Sequence, residues 1–372
     1  MKSKSILRRL YKFLLYSVIF NAHVKRFKFK VLIFLFSRGE IMNTKKKIFR
    51  FMFLLSAAVI FLNCTKKEEM QNAGDSMQPA GGAYPVTITT YNYAGEPIEL
   101  TFEKAPEKVI AFYQSPIETM LALGLADKLI LAVGLDDPVK EEFKEDFGKV
   151  NYKDKRPSKE EIIDMEPDFI FGWSSLFNEK RYGDVNFWHE RGTKTYIWQD
   201  SGLKKQESVE NECQDILNIG KIFNVEQKAQ DIVDKMKAEI EAAKKYVEGK
   251  KKVRAIIIEV EKEGQYRVYG AKTIGGDIAL QVGAELVGTD KGYIGKEELI
   301  ELNPEVIFSV YYGDAIIKEQ AVDMLIKDEA LKSISALENK KVLPITLSEV
   351  YASGIRTYDG IKTIIAGLYP EL

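Results

Sequence analysis

The chain has 372 residues, of which 45% are hydrophobic and 29% charged, and its formal net charge at pH 7 is −1. Residues 1–63 hold 14 of the 54 basic residues but only one of the 55 acidic residues, so the remaining residues carry a net charge of −14. This acidic body argues against nucleic acid and anionic membrane surfaces as binding partners.

The first 63 residues predict a leader region rather than a folded domain. Four basic residues within 45–50 precede an apolar run at 51–62, and Asn63-Cys64 follows. This run is too short to span a bilayer, and the whole pattern resembles a bacterial lipoprotein signal peptide. We therefore expect a lipoprotein signal at 42–63 that begins at Met42, with Cys64 as the lipidated first residue of the mature protein.

Two alternatives to this interpretation stay open. The residues just before Cys64 are larger than usual for such a signal, so a plain secretory signal or a membrane anchor is also compatible with the pattern. Residues 1–41 are then an over-long start assignment or an additional anchor. Residues 64–84 are polar and contain several glycines, which predicts a flexible tether.

The first part of the folded region alternates strands and helices. This alternation at βαβ spacing predicts a mostly parallel sheet with helices on its faces. The predicted elements are a hairpin of 86–91 and 98–102 around Gly95, a strand at 109–113, a helix at 116–123, and strands at 129–133 and 195–198.

Residues 159–171 and 296–308 are near copies of each other, because most of their positions are identical or conservatively replaced. In each copy, glutamates occupy the first turn of a short helix, where the helix dipole favours negative charge. Pro167 or Pro304 then ends the helix and leads into an apolar run typical of a buried strand. The repeat indicates that the protein consists of two similar halves.

Between the two copies, residues 207–248 predict nearly continuous helix with a break near Asn224. The part at 226–247 would be about 33 Å long, enough to span two lobes. Cys213 lies on the apolar stripe of the first part, which predicts a packed core thiol and leaves no partner for an internal disulfide. The later predicted elements are strands at 253–260, 266–269 and 342–345 and helices at 277–282 and 355–368, with Ser353 as a candidate cap of the last helix.

We therefore predict an α/β fold, with two Rossmann-like lobes of mostly parallel sheet joined by one long interlobe helix. The expected N-terminal lobe comprises residues 85–205, the helical connector 206–250 and the C-terminal lobe 251–372.

Several segments resemble a known family. Residues 106–112, 118–128, 157–161, 166–175 and 356–360 are similar to the helical-backbone (class III) substrate-binding lipoproteins of bacterial ABC importers, which bind ferric siderophores, haem or cobalamin. The resemblance runs from about Val86 to the C-terminus and implies a two-lobed receptor that carries a metal chelate to an ABC permease dimer. It also implies a monomer at the extracytoplasmic face of the cell envelope, on the periplasmic side, anchored to the membrane through Cys64.

The resemblance gives the repeated glutamates a role. In this family one acidic residue on each lobe, seven residues before the helix-ending proline, pairs with arginines of the permease. That position corresponds to Glu160 and Glu297, although an acid there would also be explained by the helix dipole alone.

Ligand contacts are expected where strand ends of both lobes face the cleft between them. Aromatic side chains with a few charged or hydroxyl groups suit a large, partly flat chelate. The expected ligand-binding residues are Tyr113, Gln114, Trp173, Ser174, Trp198, Arg267, Tyr269, Tyr311, Tyr312, Tyr351 and Arg356.

The sequence favours a receptor without catalytic residues, cofactor or bound metal of its own. His189 is the one histidine beyond residue 64, so a multi-histidine zinc or manganese site cannot form, although haem ligation by tyrosine stays possible. No phosphate loop or nucleophile elbow is present. The alternatives are a surface lipoprotein enzyme with the same fold and an adhesin with a degenerate pocket. The sequence leaves the class of chelate open.

Overall fold

The computed structural model describes residues 84–262, 264–289, 291–313 and 317–372. The predictions for Met42, Cys64 and nearly all of the tether lie outside these residues. Within the described ranges, no helix is both long enough and apolar enough to cross a membrane.

The N-terminal lobe is built on a five-stranded parallel sheet preceded by a hairpin. The strand order in the sheet is β5-β4-β3-β6-β7, and β1 pairs with β2 in antiparallel orientation. Every residue of β3 and β6 is buried, as the apolar runs predicted. The strands are β1 Val86–Tyr91, β2 Pro97–Phe102, β3 Val109–Phe112, β4 Leu129–Val133, β5 Tyr152–Lys153, β6 Phe169–Gly172 and β7 Lys194–Ile197.

Four helices belong to this lobe: α1 Gln114–Ala122, α2 Lys144–Phe147, α3 Lys159–Asp164 and α4 Val185–His189. Helix α3 is the helix of the first repeat copy. It begins with a capping box in which the Ser158 side chain accepts from Glu161 N, while the Glu161 side chain accepts from Ser158 N. Helices α2 and α4 have four and five residues, too short for a periodic pattern to reveal them.

Two helices form the connector, α5 Val209–Ile222 and α6 Glu226–Val247. Asn224 has a φ of 58°, which breaks the helix where the sequence predicted. Helix α6 contacts both lobes, because Lys228 Nζ donates to Leu123 O at 2.9 Å and Tyr358 Oη donates to Glu239 Oε1 at 3.2 Å. The predicted interlobe helix is thus present, with the predicted 22 residues.

The C-terminal lobe contains a six-stranded mixed sheet. Its strands are β8 Arg254–Lys262, β9 Gln265–Val268, β10 Glu285–Leu286, β11 Tyr293–Gly295, β12 Val306–Tyr311 and β13 Val342–Thr346. Strands β10, β12 and β13 run parallel to β8. Strand β9 alone runs in the opposite direction, because it pairs antiparallel with both β8 and β11, and the order is β11-β9-β8-β12-β13. Its helices are α7 Ile274–Gln281, α8 Lys296–Leu302, α9 Lys318–Ile326, α10 Ser335–Glu338 and α11 Thr357–Leu368.

The fold class is confirmed: two lobes of largely parallel sheet are joined by one long helix. One local prediction is wrong. Helix α11 begins at Thr357 and is preceded by a 3-10 turn, Gly354–Arg356. Ser353 is at the N-cap position of that turn, but its side chain makes no capping hydrogen bond. The Ser353 hydroxyl is instead buried without a hydrogen-bond partner among the described residues.

Candidate functional site

Three aromatic side chains from the two lobes meet at strand ends, and we call Tyr113, Trp173 and Tyr351 the aromatic cluster. Tyr113 follows β3 and stacks on Trp173, which follows β6, with ring centroids 4.2 Å apart. Tyr351 of the C-terminal lobe meets Trp173 edge-on at 5.5 Å. Trp173 and Tyr351 are half-buried, so their rings form a partly accessible surface at the lobe boundary.

The backbone of Tyr113 is strained. Its φ of 72° and ψ of 172° lie in a region that is essentially reserved for glycine and costs a side-chain-bearing residue roughly 1–3 kcal/mol. This conformation links β3 to α1 within one residue. A strained aromatic residue at a strand end is the kind of position that functional sites use.

Three arginines surround the aromatic cluster. Arg156 Cζ lies 5.3 Å from the centroid of the Tyr113 ring, and Arg181 Nη1 donates to Tyr113 Oη at 3.2 Å. Arg267 Cζ lies 6.0 Å from the Tyr351 ring. Arg267 Nη1 is 3.7 Å from a Glu259 carboxylate oxygen, whereas Arg156 and Arg181 have no described carboxylate within 4 Å. Asp136 faces both Arg156 and the Tyr351 phenol. Aromatic rings beside guanidinium groups without a close carboxylate suit an anionic ligand with flat groups.

Trp198 and Tyr269 do not face this surface, and their predicted role is corrected. Trp198 has no exposed area, packs on Phe171 and donates from Nε1 to Glu212 Oε2 at 2.8 Å. Tyr269 is also buried and donates from its hydroxyl to Glu259 Oε2 at 2.7 Å. Both are core aromatics whose single polar atom is already paired.

Gln114 and Ser174 also direct their side chains into the protein. Gln114 Oε1 accepts from Asp136 N at 3.2 Å and from Asp137 N at 3.0 Å, so it fixes the loop after β4. Ser174 Oγ donates to Ser201 O at 2.6 Å. These hydrogen bonds position neighbouring loops. Gln114 Nε2, in contrast, is buried without a hydrogen-bond partner among the described residues.

Arg356 is part of a buried ion pair between the lobes rather than a ligand-facing cation. Its Nε and Nη2 atoms donate to the two oxygens of Glu118 at 2.6 Å and 2.8 Å. It also donates to Pro138 O at 2.7 Å and to Ser348 Oγ at 3.2 Å. With every donor group engaged, the predicted ligand role of Arg356 is corrected to a structural one.

Two further sets of hydrogen bonds link the lobes. Together with the ion pair between Arg356 and Glu118, we call them the polar seam. Lys140 Nζ donates to both oxygens of Asp359 at 2.8–3.0 Å. Thr346 and Ser348 donate to Asp137 Oδ2 at 2.7 Å and 2.6 Å. Tyr311, the last residue of β12, pairs with Thr346 of β13. Tyr312 follows it, and both tyrosines are half-buried. The polar seam fixes one lobe against the other.

The two repeat copies differ in how their paired glutamates are held. Glu161 belongs to the capping box and is 3.5 Å from Lys153 Nζ, and Glu298 is 2.6 Å from Lys291 Nζ. Glu160 and Glu297 are exposed and make no ion pair with any described residue. In both copies, therefore, the first glutamate is the one available to a partner.

The described residues contain no group of three or more histidine, cysteine or acidic side chains arranged to hold a metal ion. A surface depression of about 460 Å³ lies at the edge of the C-terminal sheet, beside strand β11. It is lined by Lys262, Gly264, Gln265, Tyr293, Ile294, Gly295 and Glu298.

Sequence reasoning missed Arg156 and Arg181. Arg156 precedes Pro157 at the entry to the first repeat copy, and Arg181 lies in an irregular loop. Neither position has a periodic pattern, so only the folding of both loops over Tyr113 reveals their common place.

Comparison with known proteins gives consistent matches. The profile of a family described as periplasmic binding protein matches residues 109–346. The chain is 23% identical over 325 residues to an uncharacterized ABC transporter substrate-binding lipoprotein, YvrC, of Bacillus subtilis, covering 86% of this chain and 96% of that protein. It is 23% identical over 261 residues to the petrobactin-binding protein YclQ of the same organism, covering 68% of this chain and 78% of the relative.

Among solved structures, a periplasmic binding protein from Veillonella parvula is similar to this chain with a TM-score of 0.73 and 33% sequence identity. The match covers 78% of this chain and 93% of that one.

Proposed function

This chain belongs to the periplasmic binding protein family, and from that premise we propose that it is the substrate-binding component of an ABC importer for an anionic metal chelate. The ligand would lie at the lobe boundary, against the aromatic cluster. The relatives support this proposal, because one is named as an ABC transporter substrate-binding lipoprotein and another as a petrobactin-binding protein.

The observation that carries the proposal is the group of three arginines around the aromatic cluster. Arg156 and Arg181 lie on Tyr113 without a neutralising carboxylate within 4 Å among the described residues, and Arg267 approaches from the other lobe. A neutral or cationic ligand would leave the guanidinium groups of Arg156 and Arg181 without an ionic partner within 4 Å. An anionic chelate with flat donor groups would gain both charge pairing and contact with the rings.

The test is equilibrium titration with a panel of ferric citrate, a ferric catecholate, a ferric hydroxamate, haem and cobalamin. We expect saturable binding of an anionic member, detected as quenching of Trp173 fluorescence, with the ligand recovered unchanged. Arg181→Gln should weaken that binding and reduce its dependence on salt, while Arg191→Gln, which changes an arginine stacked on Phe187, should not.

Two outcomes would contradict the proposal. If no member of the panel binds saturably, the chelate-receptor function is wrong and an adhesin or structural role gains support. If the bound compound is chemically converted, the protein is an enzyme that uses the same two-lobed fold.

We further propose that Glu160 and Glu297 dock the protein onto the permease. Both side chains are exposed and form no ion pair with a described residue, which supports this role, whereas the neighbouring Glu161 and Glu298 are already engaged. Carboxylates in this state are suited to bidentate pairing with arginines of a partner.

The docking role is tested by uptake of the bound chelate in cells. Replacing Glu160 and Glu297 by Gln should abolish uptake and leave chelate affinity unchanged. The matched control is the pair Glu161→Gln and Glu298→Gln, which should retain uptake. Loss of affinity in the first pair would instead place these residues at the ligand.

We also propose that the protein is anchored at the extracytoplasmic face of the membrane through a lipid on Cys64. The lipoprotein-like signal sequence and the lipoprotein named among the relatives support this anchoring. Cys64→Ser should prevent incorporation of labelled fatty acid and release the protein from membranes. A wild-type protein that incorporates no label would overturn the proposal.

A further inference from the structure

Four carboxyl groups are buried where the N-terminal lobe meets the connector. Asp200, Glu212 and Asp215 have no exposed area, and Glu207 is 9% exposed. None of them forms an ion pair within 4 Å with a lysine or arginine of the described residues. We call these four groups the carboxyl cluster. Buried carboxyl groups without cations are uncommon, because isolated charges are strongly disfavoured in a protein interior.

Two members of the carboxyl cluster accept hydrogen bonds from the C-terminal lobe. Glu207 Oε2 accepts from Ile274 N at 3.2 Å, and Glu212 Oε2 accepts from Gly354 N at 2.6 Å. In the opposite direction, Val209 N of the connector donates to Asp277 Oδ2 at 2.8 Å. The carboxyl cluster is therefore part of the contact between the lobes.

The four groups differ in how well an ionised form would be stabilised. Asp215 accepts from Tyr196 Oη and from both nitrogens of Gln199, at 2.7–2.8 Å. Asp200 accepts from Ser208 N and Asn211 Nδ2. Glu212 Oε1, in contrast, is buried without any donor among the described residues, so an ionised Glu212 would carry charge on an unsolvated oxygen.

The charged groups that face the cluster provide little neutralisation. Most of these groups are acidic. Glu212 faces Asp200 and Asp215, and Asp200 also faces Asp277. The cations are Lys204, which faces Asp200, and Arg267, which faces Glu207 and is itself 3.7 Å from Glu259; Glu207 also faces the Tyr351 phenol. Burial is the largest cause that raises the pKa of Glu207 and of Asp215 to about 8, and burial also raises the pKa of Asp200 and Glu212.

We propose that Asp200, Glu207, Glu212 and Asp215 form a shared proton-binding site at the lobe junction, and that loss of its protons weakens the contact between the lobes. The ionised cluster concentrates several negative charges in a space that no described cation neutralises within 4 Å. Their mutual repulsion opposes the packing of the connector against the C-terminal lobe. This inference does not depend on which ligand the protein carries.

The direction of the pH effect follows from linkage. A carboxyl group that holds its proton more tightly when folded stabilises the fold fully below its unfolded pKa, near 4, and this stabilisation is lost as the pH rises through the folded value. For Glu207 and Asp215, the pH range over which this stabilisation is lost therefore extends from about pH 4 to 8. Within this pH range, each of the two carboxyl groups lowers the folding equilibrium constant by about tenfold for every unit by which the pH rises.

The test compares thermal unfolding of the ligand-free protein between pH 6 and 9. The wild-type midpoint should fall across this range, whereas Glu207→Gln and Glu212→Gln, which mimic the protonated forms, should fall less and exceed the wild type at pH 9. The matched control is Glu210→Gln, an exposed position on the same helix α5, which should keep the wild-type slope. Equal slopes in all four proteins would overturn the proposal.

A second measurement needs no variant. Infrared difference spectra of the wild type between pH 6 and 9 should show the loss of protonated carboxyl groups. X-ray scattering should show a larger radius of gyration at pH 9 than at pH 6 because the lobe contact loosens. If no protonated carboxyl group is detected at pH 6, or if the radius of gyration does not change, the proposal is wrong, whatever the outcome of the ligand panel.

Discussion

Replacing Arg356 by Met is expected to destabilise the fold strongly while leaving ligand affinity nearly unchanged. The change removes the guanidinium that pairs with both oxygens of Glu118, and the Glu118 side chain has no exposed area. Breaking a buried ion pair from one side typically costs about 3–5 kcal/mol, because the remaining charge stays buried without a partner. We expect the unfolding free energy to fall by about that amount.

The contribution of the pair is separated from general packing effects by a double-mutant cycle. Glu118→Gln combined with Arg356→Met should be less destabilising than Arg356→Met alone, because no uncompensated charge is then left in the polar seam. Urea unfolding followed by circular dichroism measures all four proteins under one condition.

Arg267→Met provides the matched control. The Arg267 side chain is 41% exposed and lies 3.7 Å from the nearest carboxylate oxygen, so its loss should change stability little but weaken chelate binding. The reasoning would be refuted if Arg356→Met lowered chelate affinity without lowering the unfolding free energy. That result would restore Arg356 to the ligand-binding role predicted from the sequence.

Three further changes test separate parts of the structure. Ser158→Ala removes the capping box of α3 and should lower the urea-unfolding free energy by about 1 kcal/mol; an unchanged value would contradict the capping role. Trp173→Phe should abolish ligand-induced fluorescence quenching, because the other two tryptophans are at most 1% exposed; residual quenching would show that a buried tryptophan senses the ligand. Gly276→Ala would place a Cβ 1.9 Å from Gly270 O and should greatly reduce soluble expression, whereas Gly292→Ala has open space and should not; similar yields would refute this steric argument.

The sequence predicted the architecture well because the relevant signals are local and periodic. The two repeat copies, the apolar strand runs and the long helix each follow from patterns within about 25 residues. The break near Asn224 was also predictable, since a positive φ at asparagine is a common way to end a helix.

The candidate site was less predictable because its members come from distant parts of the chain. Trp198 and Arg356 were predicted to contact the ligand, yet each has a buried acidic partner, Glu212 in helix α5 or Glu118 in helix α1. No sequence pattern distinguishes an arginine that will meet a ligand from one that will meet a carboxylate 238 residues away. Arg156 and Arg181 were missed for the same reason.

The position of Arg156 has a consequence for how a transporter recognises a loaded carrier. Arg156 lies over Tyr113, and only Pro157 separates it from Ser158, which caps the helix that presents Glu160. If both proposals hold, the bound ligand and the permease contact the two ends of the same short backbone segment, which runs from Arg156 to Glu160. Occupancy could then be reported to the receptor through a few peptide units, without any large rearrangement of the body.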